Sequence, residues 1–211
     1  MWFEPPPIPD ALPIGNGITS PVGFKTPPGA AIGSANHVLN DHTYCCAIVS
    51  DACIDHEPLP EKADVCLAWH KSKIGTRSAD AERLGIPLFI TEFGACFNEG
   101  PCSQEINQVM DVADEYLIGW SYWQLKHYGD LTTSTGAKGS GVYNPDGSLQ
   151  TYKVKALARP YMQRTQGTPT AQSFDVNTYE FKFEYKVNMK ILQPSIGFFS
   201  KDFYYKHGFS I

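Results

Sequence analysis

The sequence lacks the excess of positive charge that a polyanion would need. Its 211 residues carry a net charge of −5, so no basic footprint exists and nucleic acid is excluded as a partner class. No apolar run approaches the roughly 18 residues of a membrane span. No two cysteines have the two-residue spacing of zinc ribbons and fingers, and nothing else in the chain calls for a metal or an organic cofactor. The opening stretch, "MWFEPPPIPD", has neither a basic start nor an apolar segment with a small-residue cleavage site, so no secretory leader is visible. Internal repeats are absent, and the one biased tract is a Pro/Gly-rich loop.

Cysteine, by contrast, is plentiful and clustered. Cys45, Cys46, Cys53, Cys66, Cys96 and Cys102 all fall between residues 45 and 102. An even, clustered set suits an oxidising compartment. That conflicts with the missing leader unless the natural N-terminus lies upstream, and a secreted or endolysosomal location is then expected. Cys96 and Cys102 enclose "CFNEGPC", whose Gly100 and Pro101 turn the chain back, so a disulfide is expected there. Cys53–Cys66 is the next expectation, with Cys45 or Cys46 as the competing partner.

Eight of the sixteen prolines lie in residues 1–35, which read as a long irregular loop after a short strand at "MWFE". A strand follows in 37–46, then a helix over 61–85 with Val65, Ala68, Trp69 and Leu84 on its inner face, stopped by Gly85 and Pro87. "LFITEFGACF" (88–97) begins as a strand apolar enough to be covered on both faces. The stretch 103–116 reads as a helix with Ser103 as N-cap and Ile106, Val109, Met110 and Ala113 inward. Another apolar strand is expected in 117–126. Strands alternating with helices imply right-handed crossovers and a parallel sheet. Beyond residue 170 the period changes: "TYEFKFEYKVNMKI" (178–191) alternates apolar and polar residues, as a strand with one wet face does. "FYYKHGFSI" is expected to add one more strand.

One acid stands out in this pattern. Glu92 leaves a buried strand, where a carboxylate loses water and needs compensation. Successive strands end in Glu4, then His42 and Tyr44, then Glu92, then Trp123, Gln124 and Lys126. Active groups of parallel α/β barrels sit at such strand ends. A carboxylate, a tyrosine, a histidine and a tryptophan suit a sugar site: the carboxylate meets an oxocarbenium-like centre, the tryptophan stacks on the sugar, and the tyrosine holds the carboxylate.

"TEFG" (91–94), "HTY" (42–44) and "SYWQLK" (121–126), in order on neighbouring strands, resemble glycoside hydrolase family 5. "WFEPP…PVGF…PPG", "LNDHTYCC", "FITEFGAC", "GWSYWQLKHYGD" and "RPYMQRTQG" narrow the likeness to its endoglycoceramidase and glucosylceramidase members. The resemblance implies an α/β fold: the C-terminal half of a (β/α)8 TIM barrel, strands five to eight, in residues 1–165. The start of an antiparallel β-sandwich domain would follow in 166–211. It makes Glu92 the nucleophile and Tyr44 its hydrogen-bonding partner. His42 is paired with Tyr44 on the sixth strand, Trp123 lines the sugar subsite, and Gln124 and Lys126 lie beside it.

The family's acid/base is a glutamate in an Asn-Glu pair on the fourth strand. The only such pair here, Asn98–Glu99, follows the nucleophile, so the acid/base is absent from these 211 residues. A retaining glycosidase needs two carboxyl groups about 5–5.5 Å apart. The implied activity, cleavage of the β-glucosidic bond between a sugar and ceramide, therefore belongs to a longer protein. The chain alone is expected to self-associate and to be inactive. A glycosylceramide substrate brings with it contact with a membrane surface. Other readings of the same residues are an inactive fragment, a non-catalytic binder of glycolipid or glycan, a steryl-glucosidase and an endo-β-glucanase.

Each site residue also has a plainer reading. Glu92 could serve a structural ion pair and His42 a satisfied core. Trp120 and Trp123, three apart on a strand, face opposite sides, and Trp123 is taken as the site residue. Glu4 reads as structural or as rimming a subsite. Asp41 would orient the His42 ring or cap a turn. Asp130 and the loop 132–141 would cover the lipid half of the substrate or lie on the surface.

Overall fold

The computed structural model describes residues 1–5, 20–54, 57–126 and 139–211. Asp130 and residues 132–138 of the loop named above lie outside them. Strands β1 (Trp2–Phe3) and β2 (Val38–His42) come first, followed by the short helix α1 (Cys45–Ile48) and a small hairpin of β3 (Cys53–Ile54) and β4 (Glu57–Pro58). The long helix α2 (Ala63–Leu84), strand β5 (Leu88–Glu92), helix α3 (Glu99–Glu115) and strand β6 (Gly119–Trp120) continue the alternation. Helix α4 (Thr151–Leu157) precedes the strands β7 (Tyr161–Arg164), β8 (Gly167–Phe174), β9 (Phe181–Val187) and β10 (Ile196–Phe198).

β1, β2, β5 and β6 form one parallel sheet in that order. Leu39 of β2 and Ile90 of β5 point to the helix side, where they pack with Ile74 and Leu84 of α2 and with Ile106, Val109 and Met110 of α3. All seven are at most 1 % exposed. Their neighbours Asn40, His42 and Thr91 point to the other face, as strand alternation requires. Among the described residues the outer edges of β1 and β6 have no strand partner. The β6 side opens on a cavity of about 570 Å³, lined by Phe89, Trp120, Tyr161, Arg164, Gln172 and Phe183 among others.

The inner face of α2 differs from the sequence expectation. Trp69 and Leu84 are buried, but Val65 and Ala68 are exposed, and His70, Lys73, Arg77 and Asp80 take their place in the interior. Charge pairing explains the inversion. Asp41 of β2, 3 % exposed, accepts from Arg77 Nε at 2.5 Å and pairs with Lys73 Nζ at 2.9 Å. Arg77 also meets Asp80 at 3.3 Å and donates to the Ser20 carbonyl. Buried charges are tolerated when paired and hydrogen-bonded in this way. Asp41 is therefore occupied beneath the sheet; it accepts from the His42 backbone N–H and does not orient the ring.

Helix α2 ends as read from the sequence. Gly85 sits at φ +64 and donates to Glu82 and Ala81 carbonyls, and an added Cβ would meet the Gly33 backbone at 2.9 Å. Helix α3 begins earlier than Ser103, at Glu99 after an extended Asn98. The Cys102 N–H donates to the Asn98 carbonyl, and Pro101, which needs no N–H partner in a first turn, fits within it.

In the C-terminal part β8 and β9 form an antiparallel hairpin, and the apolar residues Phe181, Phe183 and Tyr185 of β9 stack side by side. β7 pairs antiparallel with β10. The extra strand lies at Ile196–Phe198, whereas 203–211 forms turns. The aromatic side chains of Tyr204 and Tyr205 prefer the cluster around Phe174 to a ladder position. Arg159, 2 % exposed, ties this part to α3 through Asp111 at 2.7 Å and Asp114 at 3.2 Å and donates to the Phe174 carbonyl.

Three disulfides join the six cysteines: Cys45–Cys66, Cys46–Cys53 and Cys96–Cys102. The last matches the sequence expectation, whereas the Cys53–Cys66 pairing does not. Cys45 opens α1 facing α2, so it reaches Cys66 with Cα atoms 5.4 Å apart, and Cys46 points away to Cys53. Peptide mapping under non-reducing conditions should recover these three links. A Cys53–Cys66 peptide would contradict the arrangement.

Candidate active site

The end of β5 is irregular where it matters. Asp41 pairs with Ile90, but His42 pairs with Glu92, so Thr91 is one residue more than β2 can match. Such a bulge re-aims a side chain next to a functional site. Thr91 and Glu92 consequently both reach groups on the open face of β2: Thr91 Oγ1 accepts from Asn40 Nδ2 at 3.2 Å, and Glu92 meets His42 and Tyr44.

Glu92 has a partner on each carboxylate oxygen. Tyr44 donates its O–H to Oε2 at 3.2 Å, and His42 Nε2 lies 3.4 Å from Oε1. The Glu92 side chain keeps 26 % of its surface exposed, enough for an incoming molecule to reach it. Burial first, then the Glu92 charge and the hydrogen bond to it, push the Tyr44 hydroxyl far above the usual tyrosine range. Tyr44 therefore remains a proton donor to the carboxylate at any working pH.

The backbone around Tyr44 is clamped on all sides. The Thr43 N–H donates to the Glu92 carbonyl at 3.0 Å. The Thr43 hydroxyl bonds Nδ1 of the fully buried His70 at 2.7 Å, and His70 Nε2 lies 2.8 Å from Glu105 of α3. Directly after Tyr44, Cys45 is tied to α2 and Cys46 to β3. Thr43, His70 and Glu105 were not singled out in the sequence. Their signal was available in α2, where His70, Lys73 and Arg77 recur at helical spacing.

Trp123 reaches the site through its backbone. Its N–H donates to the Phe93 carbonyl at 3.0 Å and it bridges Gly94 in parallel, placing it beside the two residues that follow Glu92. That crossing requires a glycine: at φ +135, a Cβ on Gly94 would sit 2.6 Å from the Tyr122 ring and 2.8 Å from the Trp123 carbonyl. Trp120 instead packs edge-on against the buried Phe93. Gln124 is buried, with its N–H on the Ser140 carbonyl, and Lys126 is exposed. Glu4, read as rim or structural, is drawn in: its Oε1 lies 3.5 Å from His42 Nδ1. Cys45, Cys53 and Cys66 bring three sulfur atoms within 4.8 Å of one another, but each is spent in a disulfide and offers no thiolate to a metal.

The chemical content is an accessible carboxylate held by a neutral donor and an imidazole at the end of a parallel strand. The chain matches the family model "Cellulase (glycosyl hydrolase family 5)" over residues 19–129 and the glycoside hydrolase family 5 C-terminal domain over 159–211. It belongs to glycoside hydrolase family 5, whose members hydrolyse O-glycosyl bonds.

Two curated relatives are similar over 189 residues, 89 % of this chain: endoglycoceramidase I of Rhodococcus hoagii at 26 % identity and an endoglycoceramidase of Hydra vulgaris at 24 %. An endoglycoceramidase of Cyanea nozakii is 24 % identical over 142 residues, 67 % of this chain. The chain spans 33 %, 32 % and 28 % of those three proteins in turn. Its fold is similar to that of endo-glycoceramidase II from Rhodococcus sp., with a TM-score of 0.65 at 20 % identity, covering 95 % of this chain and 40 % of that one.

The position of Tyr44 carries a spectroscopic consequence. An ordinary tyrosine ionises near pH 10, about the middle of an alkaline absorbance titration. Tyr44→Phe should leave the amplitude of that transition unchanged, because Tyr44 ionises above it. Loss of one tyrosine's amplitude would show an exposed hydroxyl that does not serve Glu92.

Proposed function

We propose that this chain carries the nucleophile half of a retaining glycosidase acting on glycosphingolipids. The Tyr44–Glu92–His42 contact carries the reading. Glu92 is the nucleophile: its carboxylate attacks the anomeric carbon of the sugar as the bond to the aglycone oxygen breaks, and the second carboxyl group protonates the departing alcohol. Water then hydrolyses the glycosyl-enzyme ester, giving its proton back to that second carboxylate and releasing free sugar and Glu92. Tyr44 holds the attacking carboxylate in place and, as a permanent donor, offsets its charge. Trp123 supplies the sugar platform, with Gln124 and Lys126 beside it.

In this reading β1, β2, β5 and β6 are strands five to eight of a closed (β/α)8 barrel, residues 1–165, and 166–211 opens a β-sandwich domain. Among the described residues the two outer sheet edges have no strand partner and a cavity lies beside β6, which supports it, since a closed barrel leaves no edge unpaired. The remaining strands and the proton-donating carboxyl group come from the rest of the natural protein. Three disulfides among residues 45–102 support an oxidising location, secreted or endolysosomal.

The lipid half of the substrate rests on the relatives, three of which are endoglycoceramidases, and on a similar structure, endo-glycoceramidase II from Rhodococcus sp. in complex with ganglioside GM3. A glycosylceramide presented in a bilayer would bring the protein to a membrane surface. A soluble β-glucan is the second reading, because the matching family model is that of cellulases.

One experiment with the complete natural protein tests both parts. Ceramide oligosaccharides, glucosylceramide, a steryl glucoside and a cellulose-like glucan are assayed side by side with wild type and Glu92→Gln. Wild type should favour a glycosphingolipid, and the substitution should lower its rate by about a thousandfold or more, because the amide cannot form the ester. Glu92→Gln activity within about tenfold of wild type would remove the nucleophile assignment. Preference for the glucan would move the substrate to the second reading.

A further inference from the structure

The proposed nucleophile is the near end of a longer chain of groups. His42 stands between two carboxylates, with Nε2 3.4 Å from Glu92 Oε1 and Nδ1 3.5 Å from Glu4 Oε1. Glu4, two residues beyond the start of β1, is fixed in turn by Asn40, whose Nδ2 donates to Glu4 Oε2 at 3.4 Å and to Thr91 Oγ1 at 3.2 Å. Thr91 precedes Glu92, so the contacts close into a ring across three strands: Glu92, His42, Glu4, Asn40, Thr91 and back. We propose that Glu4 is a positioning residue for the nucleophile. By holding Nδ1 of His42 it keeps Nε2, and not a ring carbon, against Glu92.

The need for such a residue follows from the imidazole itself. The last torsion of a histidine side chain is broad and roughly two-fold, so rotation by half a turn exchanges each ring nitrogen for a carbon at nearly the same place. The His42 side chain is 30 % exposed, so its ring is not fully enclosed. A partner at Nδ1 selects one of the two orientations, as second partners do for other working histidines. The ring nitrogens lie within ion-pair distance of Glu4 and Glu92, and the Tyr44 hydroxyl donates to the other Glu92 oxygen, Oε2.

The consequence for catalysis rests on the reading of Glu92 as nucleophile, whereas the pairing of Glu4 with His42 stands apart from it. Both are tested in the complete natural protein labelled with 15N-histidine, using Glu4→Ala and Glu4→Gln; the His42 signals are assigned by loss in His42→Ala. Glu4→Ala should shift both His42 ring-nitrogen signals and leave those of His37 and His70, which are bonded elsewhere, in place as controls of folding. Glu4→Gln keeps an oxygen acceptor and should restore the wild-type pattern at least halfway. In turnover of the preferred glycoside, Glu4→Ala should lower kcat roughly tenfold with KM within about twofold, and Glu4→Gln should recover most of it.

Unchanged ring signals in Glu4→Ala, or a Glu4→Gln variant no better than Glu4→Ala, would overturn the proposal. If Glu92→Gln leaves turnover intact while the ring signals respond to Glu4, the nucleophile reading fails and the Glu4–His42 pairing stands.

Discussion

A carboxylate at the end of a buried parallel strand must be met by donors, and the arrangement around Glu92 follows from that requirement. The irregular register at Thr91 turns Glu92 toward β2, where Tyr44 and His42 take one oxygen each. Tyr44 can do this only because the turn after β2 is fixed. Thr43 is held by His70 and by the Glu92 carbonyl, and the two residues after Tyr44 are both cross-linked. Below the sheet, Asp41 anchors the same strand to α2 through Arg77 and Lys73. The accessible face of β2 thus presents the site while the hidden face carries the ionic anchor.

The alternation of elements was legible because the core positions are simple. Leu88 and Ile90, and Ile106, Val109, Met110 and Ala113, carry the periods of a strand and a helix, and their burial follows. The residues brought together at the site, His42, Tyr44 and Glu92, were legible because they sit at strand ends in a motif order. The face of α2 was not. Its interior is polar, and hydrophobic period alone selected Val65 and Ala68 over Lys73 and Arg77, whose burial depends on Asp41 some thirty residues earlier in the chain. The same holds for the cysteines: the local Cys96–Cys102 loop was readable from spacing, whereas Cys45–Cys66 depends on where α1 docks against α2.

Glu4 shows the same limit at the site itself. Three residues separate it from the chain start, and nothing local distinguishes it from a surface acid before a proline run. Its meaning appears only when parallel pairing of Trp2 and Phe3 with Val38 and Leu39 sets the ends of β1 and β2 side by side. A chain of contacts through Asn40 and His42 then makes it part of the neighbourhood of Glu92. Substrate class is a different matter: in the proposed reading the described site residues act on the sugar, and the lipid half of the substrate enters only through the relatives.

The central claim is that Glu92 becomes covalently attached to sugar. A 2-fluoro glycoside with a good leaving group slows hydrolysis of such an ester enough to isolate it. Treated with the 2-fluoro form of the preferred substrate's sugar, the complete natural protein should gain the mass of one fluorosugar. Tandem mass spectrometry should place it on Glu92, within the peptide that contains "FITEFGAC". Attachment to any other carboxylate, or turnover of the natural substrate without any adduct on Glu92, would contradict the account.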